Sequence, residues 1–149
     1  LENLILTSVN PLLRDKVEFR ENYNLGNLLV LHGDEVCKGG GSGSGRSVEK
    51  TMQRINKSVM QGHVHRLGMF VRSTEASGLQ YGYEVGWLGD SKQLAFNYTK
   101  YPDWHLGFAV VTYLDMGSKD FNVELISIEK TKKGKGRKCF YRGNVYELW

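Results

Sequence analysis

Two stretches decide the fold. One is Leu28-Leu29-Val30-Leu31-His32-Gly33-Asp34, and the other is Ser58-Val59-Met60-Gln61-Gly62-His63-Val64-His65-Arg66. Residues 28–31 form an unbroken apolar run, the pattern of a strand buried on both faces. Residues 58–61 read as a second short strand. Between them, Val48, Met52 and Ile55 recur at i, i+4 and i+7, one apolar stripe of a helix from Ser47 to Asn56. Ser47 is the expected N-cap, with Lys50 and Arg54 facing out. Residues 28–62 therefore spell strand, loop, helix, strand: a βαβ unit, for which a right-handed crossover between parallel neighbours is expected. Both strands run into histidine, His32 after the first and His63 after the second. Parallel neighbours would bring those two tips within reach of one metal ion.

Working outward from that unit, residues 39–45 (Gly-Gly-Gly-Ser-Gly-Ser-Gly) read as a flexible loop or linker. They are followed by Arg46-Ser47 and not by the Lys-Ser/Thr that a nucleotide P-loop needs, so a P-loop is excluded. Upstream, Leu1, Leu4 and Ile5 fit a helical face until Pro11, Val17-Glu18-Phe19 alternates as a strand, and residues 22–27 carry turn chemistry. Downstream of Arg66 the pattern changes. Residues 70–74, 81–85, 94–98, 108–113, 122–128 and 144–146 all read as strands punctuated by Gly, Asp, Asn and Ser. They predict a mostly antiparallel second sheet layered on the first. The fold class expected is mixed, α+β with one α/β unit, in a single domain spanning 1–149.

Composition limits the function classes. The chain has 149 residues, enough to bury a core without disulfides, and its hydrophobic (40%) and charged (24%) fractions are those of a water-soluble globular protein. No stretch approaches the roughly 20 apolar residues of a membrane span, and the N-terminus shows no signal-peptide pattern, so a cytoplasmic setting without membrane association is expected. The two cysteines, Cys37 and Cys139, form no C-x-x-C pair, which excludes a zinc ribbon and suggests free thiols. The net charge of +4 suits a phosphate-bearing partner without requiring one. Much of it sits between Lys130 and Lys138, with Lys132, Lys133, Lys135 and Arg137. That run is first a solvated hairpin loop and second a contact to nucleic-acid backbone.

The candidate site is the histidine trio. Just past a strand, His63 and His65 at i and i+2 can both turn into one cleft, and Gly62 permits a tight backbone approach before them. Neutral imidazole suits zinc, manganese, iron or nickel. A single His is more often structural than a ligand. The pairing of His-x-His with a second strand ending in His-Gly-Asp is what raises the metal reading. His105, flanked by Trp104 and Phe108, is expected to be a packed or surface residue outside the trio. Tyr98, Tyr101, Trp104 and Phe108 could stack nucleobases, although a sheet core explains them more cheaply.

On these residues, Leu28–Asp34 with Gly62-His63-Val64-His65-Arg66, the sequence resembles the calcineurin-like metallophosphoesterases, in particular bacterial and phage members. The likeness covers about residues 25–70 and corresponds to the C-terminal half of that family's domain. It implies a β-sandwich flanked by helices with a two-metal centre at the strand tips. It further implies that His32 and His63 bind one divalent ion, that His65 binds the other, and that Arg66 contacts substrate phosphate, with a surface salt bridge as the alternative. The activity implied is hydrolysis of a phosphomonoester or phosphodiester, with nucleic acid among the candidate substrates. The departure is equally informative. The family's Asp-x-His, Gly-Asp and Gly-Asn-His-Asp/Glu motifs should precede His32, yet residues 1–31 hold Asp15 as their one Asp, and no His. Together with a first residue that is Leu and not Met, this suggests the C-terminal portion of such an enzyme, its N-terminal half on the same chain or another. Alone it is expected to bind one ion weakly and catalyse little. The runner-up is a non-catalytic nucleic-acid- or protein-binding module on a degenerate phosphoesterase scaffold. A mononuclear zinc hydrolase with three histidine ligands is a third possibility.

Overall fold

A computed structural model of the chain describes residues 22–34, 46–89, 103–113, 120–131 and 136–148. Within them are nine strands and one helix, in two sheets. The βαβ unit is as expected. Strand β2 (Leu28–Leu31) pairs in parallel with β3 (Ser58–Gln61), Leu28 opposite Ser58 and Leu31 opposite Gln61, with α1 (Arg46–Ile55) between them in sequence. Val48 and Met52 are fully buried, and the exposed Lys50 and Arg54 lie on the opposite face.

Four expectations need correction. Residues 22–27 are not all turn. Asn22–Leu25 form β1, hairpinned onto β2 through Gly26 and Asn27. Gly26, at φ 59°, holds the first loop position, which a type II′ turn reserves for glycine. The helix begins at Arg46, so Ser47 lies inside its first turn and not at the cap. The strands after Arg66 do not all join a second sheet. β4 (Leu67–Thr74) and β5 (Gly78–Val85) complete the first, in the order β1-β2-β3-β5-β4, with β5 parallel to β3. Gly82 supplies the reason: it lies opposite Val59 and Phe70 on the helix-facing side, where a Cβ would collide with Met52 Sδ and the Val48 methyl groups. Only glycine lets α1 settle over β3 and β5 together. The fourth correction is β8 (Arg137–Tyr141), which the basic run conceals in the sequence. It follows β7 (Phe121–Lys130) as an antiparallel hairpin closed by Thr131 N–H donating to Gly136 O at 3.0 Å.

The second sheet is β6-β7-β8-β9, with β6 at Gly107–Tyr113 and β9 at Asn144–Leu148, and it is antiparallel throughout. It meets the face of the first sheet that α1 does not cover. Tyr81 packs edge-on against Phe121, Tyr113 donates its hydroxyl to Leu25 O at 2.9 Å, and Gly107 lies under Leu67. The helix expected in residues 1–15, the strands expected at 17–19 and 94–98, the Gly/Ser stretch 39–45, Cys37, and Lys132, Lys133 and Lys135 fall outside the described residues. Cys139 is a free, half-buried thiol on β8. Among the described residues no helix is long and apolar enough to cross a membrane.

A ten-residue helix is marginal alone, and this one is held at both ends by the sheet beneath it. At its start, the fully buried Glu84 carboxylate on β5 accepts from the Ser47 and Val48 amides, both at 3.2 Å, and from the Ser47 hydroxyl. At its end, Asn56 takes the left-handed conformation (φ 55°) that closes helices. There Arg72 donates to Met52 O and to Asn56 Oδ1, both at 2.9 Å, and Gln80 donates to Asn56 O. An anion at the N-terminus and a cation at the C-terminus each complement the helix dipole.

Candidate metal centre

The register of β2 and β3 puts Leu31 opposite Gln61, so the chain leaves both strands at one level, and the Gly62 amide donates to His32 O at 3.1 Å. His63 then turns back at φ 58°, a region that non-glycine residues seldom enter, though His does so more often than most. Gly33, at φ 105°, passes close enough that a Cβ there would lie 3.6 Å from His63 Cβ. These constraints bring the His32 and His63 rings together, with centroids 5.1 Å apart, planes at 77°, and His32 Nε2 facing His63 Nδ1 at 3.2 Å. Two nitrogens on one tetrahedral zinc ion, each bonded at about 2.0–2.1 Å, stand about 3.3 Å apart. The pair can share a hydrogen bond when one ring donates. The same spacing fits two ligands on a single ion.

His65 also sits at φ 58°, with the Val64 amide donating to Gly62 O at 2.6 Å. Each left-handed residue costs about 1–3 kcal/mol and persists only where its surroundings fix it, commonly at functional sites. Here His65 O accepts from the His105 amide at 2.8 Å. The His65 ring lies flat against Trp87, with centroids 5.2 Å apart and planes at 18°, and meets Trp104 edge-to-face at 4.9 Å. Burial, and then the positive potential of His63 and His32, pushes the His65 pKa below its usual 6.5. That shift favours the neutral form of the ring, the form that binds metal. Arg66 is turned aside: its Nε contacts Asp103 Oδ2 at 2.9 Å, the salt-bridge alternative for this residue. His105 is exposed, and only its backbone enters the site.

The structure therefore pairs His32 with His63 and sets His65 beside them against two indoles. Among the described residues no group of three or more His, Cys, Asp or Glu side chains is gathered closely enough to hold an ion. Judged by its donors, the site fits half a coordination shell, two imidazoles at ligand spacing with no carboxylate gathered beside them among the described residues. Trp87 and Glu84 are missing from the sequence-derived site. The signal for both was the direction of β5. Once β5 runs parallel to β3, its C-terminal end emerges at the same edge as His32 and His63, carrying Trp87 with it.

No protein-family model matches the sequence, and no curated protein matches it. Among solved structures, the chain is similar to a single mutant of Vps29 from Entamoeba histolytica, at 15% identity over 89% of this chain and 62% of that one, with a TM-score of 0.38. It is similar to vacuolar protein sorting 29 from Cryptosporidium parvum, at 15% identity over 87% and 55%, with a TM-score of 0.37. It is also similar to wild-type Vps29 of Entamoeba histolytica complexed with Zn2+, at 15% identity over 88% and 62%, with a TM-score of 0.37. The chain thus spans less than two thirds of the length of each.

Proposed function

We propose that this chain contributes the C-terminal histidines of a divalent-metal phosphoesterase centre acting in the cytoplasm on a phosphomonoester or phosphodiester, and that it is catalytically incomplete alone. The observation that carries the proposal is the 3.2 Å approach of His32 Nε2 and His63 Nδ1 at adjacent parallel strand tips. His32 and His63 would hold one ion, manganese, zinc, iron or nickel. His65, its neutral form favoured, would face a second ion once carboxylates from an N-terminal half complete the shell. Such ions supply Lewis-acid polarisation of a phosphoryl oxygen and a bound water of lowered pKa. The chain's own share is to fix the imidazoles through the backbone turn at 62–65 and to favour the neutral form of His65. Arg66, released from Asp103, would reach substrate phosphate. The test is metal-dependent hydrolysis of bis-p-nitrophenyl phosphate by the longer or complemented protein. Activity should vanish with His63→Ala, and activity that survives this change excludes the assignment.

A second reading, a non-catalytic binding module, is favoured by one observation: the His65 ring is already packed between Trp87 and Trp104. It predicts partner binding that chelation leaves unchanged, whereas the metal reading predicts a loss with EDTA.

A further inference from the structure

Trp87 and Trp104 do not only shield His65. They also line an open cleft of about 610 Å³, within the roughly 300–1,000 Å³ range of small-molecule sites, whose lining includes Lys130 and Arg137. Both sheets converge here. Trp87 and Leu106 form a parallel bridge, with the Trp87 amide donating to His105 O at 3.2 Å and the Gly107 amide to Trp87 O at 3.0 Å, while the Ile128 amide donates to Leu106 O at 2.9 Å. Gly89 lies directly against the six-membered ring of Trp87, where any Cβ would overlap ring atoms. The indole is thus seated by backbone on one side and by His65 on the other.

The chemistry of the walls is specific. The half-buried Trp104 indole offers π surface, beside a Trp87 indole already packed between His65 and Gly89, and base–aromatic stacking needs no other base-specific group. Lys130 and Arg137 offer two cations, and the acidic residue of the same wall, Glu129, has Lys138 as an ion-pair partner at 3.9 Å. A flat heteroaromatic ring carrying a phosphate matches this combination, the ring on the Trp104 indole and the phosphate at the lysine and the guanidinium.

We propose that the Trp87–Trp104 cleft is a nucleobase subsite for nucleotides, with Lys130 and Arg137 holding the adjoining phosphate. The subsite begins one ring away from the histidine centre and gives that centre its substrate class, nucleotides or short oligonucleotides. Its catalytic meaning rests on the phosphoesterase proposal, but nucleotide binding does not.

The test uses the full chain in EDTA, titrated with AMP, ribose 5-phosphate and inorganic phosphate by calorimetry and tryptophan fluorescence. AMP is expected to quench fluorescence and to bind at least about tenfold more tightly than ribose 5-phosphate, a difference that stacking alone can supply. Trp104→Ala should erase that preference. Ser127→Phe, which fills the cleft from the exposed β7 surface without altering an indole, should weaken AMP about tenfold with an unchanged circular dichroism spectrum. Arg137→Gln should weaken AMP and ribose 5-phosphate alike. Equal binding of AMP and ribose 5-phosphate, or AMP binding indifferent to Ser127→Phe, overturns the subsite. A zinc titration of the same protein separates the two proposals. Zinc bound at the histidines without AMP selectivity overturns the subsite alone, and AMP selectivity without zinc binding supports the subsite while removing the metal centre.

Discussion

The two sheets of this molecule are built to different standards. In the first, Leu28 and Val59 are sealed from water with Val48 and Met52 of the helix above them, and the polar Gln61 and Glu84 are enclosed too, while its exposed large apolar side chains are Tyr23 on β1, Met69 and Val71 on β4, and Leu79 at the start of β5. In the second, Ile126 is the one large apolar side chain buried among the described residues, and Phe140, Val145 and Tyr146 on the β8–β9 hairpin are each more than half exposed. The histidines sit on the sealed sheet. Left-handed backbone at residues 63 and 65 survives only where the strands beneath it cannot relax. The covered sheet provides that rigidity, and the open sheet contributes one rim of the adjoining cleft.

The contrast can be broken by matched truncations. Met52→Ala should show the largest effect, about 2–5 kcal/mol of lost stability in urea titration, because its cavity opens in a closed layer under α1. Glu84→Gln comes next, at about 1–3 kcal/mol, since charge-assisted bonds to the start of α1 are weakened while shape is kept. Loss of helix signal in circular dichroism should accompany it. Phe140→Ala should stay within about 0.5 kcal/mol, as surface changes do; a loss comparable to that of Met52→Ala would mean that the β8–β9 hairpin is covered in solution.

The smallest effect is a pH dependence. Burial, and secondarily the nearby Tyr81, pushes the Tyr83 hydroxyl pKa above its usual 10. The folded state therefore keeps the proton longer than the unfolded chain. This contribution is fully present below pH 10 and is lost as pH rises from 10 through the folded pKa. Tyr83→Phe should flatten the fall in melting temperature over that alkaline window. An unchanged slope would show that Tyr83 is not the group responsible.

The βαβ unit and the meeting of His32 with His63 were legible because short-range signals carry them. An apolar run, a 3.6-residue stripe and a histidine at each strand end are all visible without tertiary knowledge. The position of β5 was not legible. It depends on Gly82 clearing Val48 and Met52, a contact between distant residues, and Trp87 and Glu84 were hidden with it. β8 was missed because Arg137 and Lys138 extend a basic run, and charge masked the alternation. β1 was missed because Asn22-Tyr23-Asn24 has turn composition, whereas its pairing with β2 decides its conformation.

The central claim is that His32 and His63 form a metal-binding pair. Calorimetric titration of the chain with zinc, beside the His32→Ala and His63→Ala variants, tests it most directly. The account predicts one ion per chain with modest affinity, and at least a tenfold loss in each variant with the fold intact. Zinc binding unchanged by either substitution, or absent from the unaltered chain, would contradict it.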